Sequence, residues 1–351
     1  MVPVEIIHLR LQNQQLIGSN FKKPDDVVKW MGAIQAQDYA GCKWAVGLRT
    51  INSTDKSIEE AINKNKIIRT HILRPTWHLV HPQDIRWMLM LTAPRVHAFC
   101  AFGYRKMELN DAIFKKAHKV FVKALDGGKQ LTRTELATEL QKAKIATDDL
   151  RMIHLLVHAE LEALICNGAK RDKQFTYALM DDCIPTTKTI TKEEALVKLA
   201  EGYFKSHGPA TLQDFNWWSG LTTKDSKLGL ENIKASLTSE TIDGKTYWMT
   251  HEIAASKIKS SVLILPSFDE YTVSYKDRSL VVDAAALKKT GNGIFKPLLV
   301  VDGQAKGIWK RNDKKSEARV TPTLFEKLNA AQTKMLSAEI ERYTKFLNRT
   351  T

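Results

Sequence analysis

Ile67-Ile68-Arg69-Thr70-His71-Ile72-Leu73-Arg74-Pro75-Thr76-Trp77-His78-Leu79-Val80 reads as two strands folded about a turn at Arg74-Pro75. β-branched and aromatic residues fill both arms, and a proline presets the backbone of the turn. Three helical stretches come before it. Ile6, Leu9, Leu16 and Ile17 mark one face of the first. The second opens at Pro24, with Asp25 and Asp26 in its first turn, where acids suit the helix dipole. Val27, Trp30, Met31 and Ile34 then fall at i, i+3, i+4, i+7. The third opens at Ser57, whose spacing to Glu60 is that of a capping box. Three helices and a hairpin, in that order, predict a winged helix-turn-helix with the hairpin as its wing.

The same order recurs twice. Asp84 to Met107 reads as a connecting helix. Ala117–Leu125, a helix capped by Thr132 and Glu135, and a helix capped by Asp148 lead to a strand through Phe175, Tyr177 and Leu179. Thr191 with Glu194 and Thr211 with Asp214 then open two helices, and a further helix runs to about Leu237. Asp243-Gly244 turns the hairpin that follows, which ends in Tyr247-Trp248. The repeat is one of architecture, since no residue-level similarity links the cycles. Beyond it, Val262-Leu263-Ile264-Leu265-Pro266 reads as a buried strand and Pro297–Trp309 as a hairpin turning at Asp302-Gly303. A closing helix is expected from about Thr323 to Phe346. The expected fold is α+β, mainly α with β hairpins: three tandem winged helix-turn-helix units plus a small β-rich C-terminal part. The divisions fall at residues 1-83, 84-188 (connector and second unit), 189-258 and 259-351.

The formal net charge of the 351 residues is +14. That excess suits a polyanionic partner, most simply nucleic acid, although a merely basic surface produces the same number. No apolar run approaches the ~20 residues that a bilayer demands, and the N-terminus lacks the layout of a signal peptide. Cys42, Cys100, Cys166 and Cys183 are far apart without a CxxC pair, which predicts reduced thiols in a cytoplasmic protein and no zinc site. His154 and His158 have the i, i+4 spacing of a helical metal pair. They sit among apolar residues with no motif Glu between them, so no metal is expected there.

Gln35-Ala36-Gln37-Asp38 follows the second helix. Glutamine donates two hydrogen bonds and accepts two, and it is a poor acid or base. A pair can hold a water and turn carbonyl dipoles toward a cation. On a continuing helix, residues two apart diverge, so a shared target requires the helix to end near Gln35. Taken alone, the pair is a polar helix end.

Four blocks raise its standing. Gly32–Asp38, Leu73–Val80, Pro266-Ser267-Phe268-Asp269-Glu270-Tyr271 with Tyr275–Arg278 beyond it, and Gly291–Pro297 continuing to Gly307–Arg311 together resemble the AlkZ-like (YcaQ-related) winged-helix DNA glycosylases. The blocks span most of the chain in the family's order. The resemblance implies tandem winged helices, removal of alkylated purines, in some members unhooking of interstrand crosslinks, and a catalytic Gln-apolar-Gln triplet, matched here by Gln35 and Gln37. It also implies double-stranded DNA carrying alkylated bases as the partner, with the protein on the nucleoid when bound, and no cofactor. A monomer is expected.

Breaking an N-glycosidic bond builds positive charge on the sugar. A neutral base leaves poorly without an acid, whereas an N7- or N3-alkylated purine is already cationic and leaves as a neutral molecule. Neutral glutamines suit that reaction, because they place the water and face the oxocarbenium ion. Asp38 is the rival as a general base, but capping the next helix is the favoured reading. No lysine flanks the triplet to act as a Schiff-base nucleophile. Arg69, His71 and Arg74 are candidates for phosphate contacts or for a solvated basic strand. Trp77 is a candidate for stacking on DNA or for the core, and His78 for orienting water or binding phosphate. Lys276, Arg278, Lys310 and Arg311 are candidate groove contacts or a merely solvated face. The alternative function is a winged-helix DNA-binding protein or regulator without catalysis.

Overall fold

Residues 3–148, 150–250, 260–290, 295–314 and 317–348 are described by a computed structural model. Helix α1 (Pro3–Asn13) comes first, then α2 (Pro24–Met31), β1 (Ala33–Gln35), α3 (Tyr39–Leu48), α4 (Asp55–Asn63), β2 (Ile68–Ile72) and β3 (Arg74–Val80). The hairpin lies where the sequence places it, with Leu73 at φ 61° between the strands. Strand β1 adds to it antiparallel, giving the order β1-β3-β2 and the register Ala33↔Val80, Ile34↔Leu79, Gln35↔His78.

The second helix ends earlier than its apolar stripe implies. Gly32 leaves it at φ 73°, a conformation that costs glycine little, and its N–H bonds to Lys29 O. Ile34 belongs to a strand and matched the helical spacing by coincidence. Two other boundaries also differ. α1 stops at Asn13, so Leu16 and Ile17 lie beyond it, the Leu16 N–H closing onto Leu11 O. Thr54, not Ser57, caps α4, and Ser57 supplies the other half of the box.

A connecting helix α5 (Ile85–Lys106) leads to α6 (Asp111–Leu125), β4 (Leu131–Thr132), α7 (Arg133–Lys142), α8 (Arg151–Leu161), β5 (Ile165–Asn167), β6 (Thr176–Leu179) and the short α9 (Met180–Cys183). Thr132 and Glu135 make the expected box. Asp148 does not cap α8, because Leu150 holds the cap position and no side chain bonds there. The third set is α10 (Lys192–His207), α11 (Leu212–Ser219), α12 (Thr223–Ile233), β7 (Leu237–Ile242) and β8 (Lys245–Thr250). Thr191/Glu194 and Thr211/Asp214 both form capping boxes. Asp243 (φ 49°) and Gly244 (φ 73°) turn the hairpin.

Each set repeats helix, strand, two helices and hairpin. The strand after the first helix pairs with the last strand each time: β1 with β3, β4 with β6, and in the third set the single bridge Ala210↔Trp248. That is the winged helix-turn-helix plan three times over.

The C-terminal part holds β9 (Val262–Leu265), α13 (Glu270–Val273), α14 (Ala284–Thr290), β10 (Leu298–Val301), β11 (Gln304–Lys314), β12 (Glu317–Leu324) and α15 (Ala330–Asn348), with sheet order β12-β11-β10-β9. Asp302-Gly303 turns β10 into β11, as the sequence predicts. The closing helix is shorter than expected because Thr323 and Leu324 finish β12. Gly291–Ile294 and Lys315 lie outside the described residues. No described helix is long and apolar enough to cross a membrane.

Packing explains how the triplet is held. One core unites the first unit with the C-terminal part through Met31, Ile34, Ala36, Trp44, Ile264, Leu299 and Trp309. A second joins Ala33, Ile68 and Val80 to α5 and the third unit through Met88, Tyr203 and Trp218. β1 therefore runs between two cores, with Ile34 in one and Ala33 in the other. By strand alternation Gln35 follows Ala33 toward the third unit. A third core fills the second unit around Phe121, Leu140 and Leu155.

Candidate active site

Gln35 ends β1 with 8% of its surface exposed, and Gln37 is exposed two residues further on. The backbone between them is held from three sides. The Gln35 N–H donates to Glu270 Oε1 at 2.7 Å. The Ala36 N–H donates to Trp77 O at 2.7 Å, and the Ala36 carbonyl accepts from Arg69 Nη2 at 3.1 Å. The Gln35 side-chain oxygen accepts a long 3.4 Å contact from Arg74 Nη2. Among the described residues, none hydrogen-bonds the Gln37 side chain.

Glu270 is the group that sequence reading did not single out, although it stands in a quoted block. It is fully buried. Besides Gln35, it accepts from Trp218 Nε1 at 3.1 Å and from Ser274 Oγ at 2.5 Å, while His207 Nε2 lies 3.8 Å away, too far for a hydrogen bond. Burial alone raises its pKa. His207, Ser274 and Arg74 outweigh that and hold the carboxyl at about 2. Glu270 is therefore ionised at neutral pH and cannot serve as a proton donor there. Its neighbour Asp269 explains how it is placed. The buried Arg49 guanidinium grips Asp269 through Nη2–Oδ1 at 2.8 Å and Nη1–Oδ2 at 2.9 Å, and Asp269 also accepts the Tyr271 N–H at the start of α13. This two-pronged pair fixes the angle of the loop that delivers Glu270 to β1.

Arg74 reaches the site because the first hairpin meets the end of α11. Gly220, at φ 68°, packs so closely that an added Cβ would lie 2.3 Å from Leu73 O. Trp217, just before it, is 41% exposed, and its carbonyl lies 3.5 Å from Arg74 Nη1. Arg278 stands over the Trp217 ring at 5.3 Å and donates to Thr272 O at 2.8 Å. Gln35, Arg74, Trp217 and Arg278 thus gather at one place, with Glu270 behind them.

The remaining expected residues scatter. Arg69 is buried, bonded to Ala36 and Asn167, and stacked 4.0 Å from the Trp77 ring. His71 is buried, with Nδ1 2.5 Å from Glu160. Both are bonded to partners inside the protein, where the hairpin's inner face packs on the second unit. Half-buried Trp77 lies between them, its ring 3.9 Å from His71. His78 is fully buried, and its Nδ1 bonds Thr76 O at 2.9 Å. Burial, then Arg74, lowers its pKa to about 3, so it is neutral and away from solvent. Asp38 caps α3, accepting the Gly41 N–H at 3.1 Å. Lys276 is exposed and borders a cavity with Arg10, Lys245 and Asp277. Lys310 and Arg311 are exposed on β11, opposite Thr321 and Val320.

Three comparisons bear on this arrangement. A family model described as DNA glycosylase AlkZ-like matches residues 28–346. An interstrand DNA cross-link repair glycosylase of Streptomyces sahachiroi is 25% identical over 336 residues, covering 91% of this chain and 90% of that protein. The solved structure of Streptomyces sahachiroi DNA glycosylase AlkZ superposes with a TM-score of 0.80 at 22% identity, over 97% of this chain and 96% of that one, a likeness of fold.

Proposed function

The chain belongs to the AlkZ-like DNA glycosylase family, and we propose that it hydrolyses the N-glycosidic bond of purines alkylated at N7 or N3. The observation that carries this reading is the geometry of the neutral triplet, with Gln35 held at 2.7 Å by the buried Glu270 carboxylate and Gln37 exposed two residues on. Gln35 and Gln37 place the attacking water and turn amide oxygens toward the oxocarbenium ion. Glu270 fixes Gln35 and adds a full negative charge behind it, which favours a cation in front. With no acid to assist departure, the base must arrive already charged.

DNA binding falls to Arg74, Arg278 and Trp217 around Gln35, and to Lys276, Lys310 and Arg311 farther out. Arg69, His71 and Trp77 support the triplet backbone from inside. His78 is uncharged at neutral pH, its Nδ1–H donating to Thr76 O, and it keeps the register of β1 on β3. Asp38 starts α3 and takes no proton from water. The exposure of Gln37 leaves room for bulky adducts, so the reading extends to unhooking interstrand crosslinks.

A duplex carrying N7-methylguanine tests it. Abasic sites are expected with the wild-type protein and lost with Gln35→Ala and Gln37→Ala while duplex affinity persists. No release at saturating binding, or release undiminished in both variants, would leave DNA binding without this chemistry.

A further inference from the structure

We propose that His97, His158 and Glu162 bind one zinc ion between α5 and α8. One ligand atom from each lies within 4.8 Å of the other two, and His97 Nε2 stands 3.0 Å from Glu162 Oε1. Ligand atoms around tetrahedral zinc are about 3.3 Å apart, given bonds of about 2.0–2.1 Å. Two of the three atoms therefore already have the spacing that a shared ion imposes. His158 and Glu162 are one turn apart along α8 and its C-cap, and His97 comes from the facing α5.

Both imidazoles are held in place through Nδ1. His97 Nδ1 lies 3.1 Å from the Tyr104 hydroxyl, and His158 Nδ1 lies 3.2 Å from His118 Nε2. His97 thereby leaves Nε2, the atom 3.0 Å from Glu162, for the metal, the arrangement by which a second partner sets the tautomer and direction of a ligating histidine. Phe114 stacks on the His158 ring at 3.7 Å and 19°, which fixes its plane. Two imidazoles and a carboxylate form a nitrogen and oxygen set that suits zinc, with a fourth position for water. The sequence pairs His154 with His158, but the structure selects differently. His154 packs over Gly103, where an added Cβ would lie 2.6 Å from its ring, and it is not one of the three. The ion's effect is to clamp the connecting helix to the second winged unit, since none of its ligands is among the residues gathered at the glutamine triplet.

The test uses tag-free full-length protein stripped by a chelator and titrated with zinc chloride. One zinc per chain and a raised thermal midpoint are expected, because an ion that binds only the folded state stabilises it. Cobalt(II) in its place is expected to give the visible absorption of a four-coordinate site. Glu162→Gln alters an exposed side chain and leaves the fold intact, and it is expected to abolish stoichiometric binding. His118→Ala is expected to weaken binding by roughly 10–100-fold, while His154→Ala keeps it. Failure to retain zinc, or retention undiminished in both Glu162→Gln and His97→Gln, overturns the site and leaves His97–Glu162 as an ordinary ion pair.

Discussion

The Glu270 carboxylate accepts the backbone N–H of Gln35 at 2.7 Å across 235 residues of sequence. A loop of the C-terminal part thereby fixes the end of β1 in the first winged unit. The third unit completes the clasp, since Trp218 and His207 also face Glu270. The triplet's position is a joint product of three segments of the chain.

Glu270→Gln keeps the shape and removes the charge. Single-turnover release of N7-methylguanine is expected to fall roughly 100-fold, the scale of losing one preorganised electrostatic partner. Glu270→Ala is expected to lose about 3–5 kcal/mol of unfolding free energy, because it strands buried polar partners. A Glu270→Gln protein that is less stable in denaturant yet reacts at the wild-type rate would confine Glu270 to architecture.

Asp38 separates capping from catalysis. Asparagine caps helices about as well as aspartate, so Asp38→Asn is expected to react at close to the wild-type rate, and Asp38→Ala to lose about 1 kcal/mol of stability. A loss of about 100-fold or more in Asp38→Asn, with the thermal midpoint unchanged, would make Asp38 the base.

Arg278 stands over Trp217 at the mouth of the site. Arg278→Ala is expected to weaken duplex binding on every sequence and to reduce the slope of log affinity against log salt by about 1, the signature of one lost phosphate contact. Fluorescence anisotropy across a salt series measures both. An unaltered slope would remove Arg278 from the interface.

Acid is expected to destabilise the fold in two stages. His78 has its pKa depressed to about 3, so the unfolded chain takes up this proton first. Its contribution is complete above about pH 6.5 and drains away as the pH falls toward 3. Glu270, held at about 2, adds a further loss below about pH 4.5. Thermal melts from pH 8 to 4 should show a midpoint that is flat at first and falls below pH 6.5. A midpoint that rises on acidification would contradict the neutral burial of His78.

What the sequence revealed were features whose cause is local. Asp243-Gly244 and Asp302-Gly303 have positive φ at both positions, a geometry few residues tolerate, so the turns announce themselves. The boxes at Thr132, Thr191 and Thr211 bond within three residues. β1 stayed hidden because three residues cannot display alternation, and Ile34 extended a helical stripe. The triplet itself was visible, but its support was not. Glu270, His207 and Trp217 come from distant segments, and nothing beside Gln35 encodes them. Arg69 misleads for the same reason, since the carbonyl it holds and its partner Asn167 are 33 and 98 residues away.

The most direct measurement compares single-turnover release of N7-methylguanine and of uracil from otherwise identical duplexes. A neutral pair of glutamines without a proton donor predicts abasic sites from the cationic base and none above background from the neutral one. Uracil released at a comparable rate would contradict the account, because it would require an acid that Gln35, Gln37 and an ionised Glu270 do not supply.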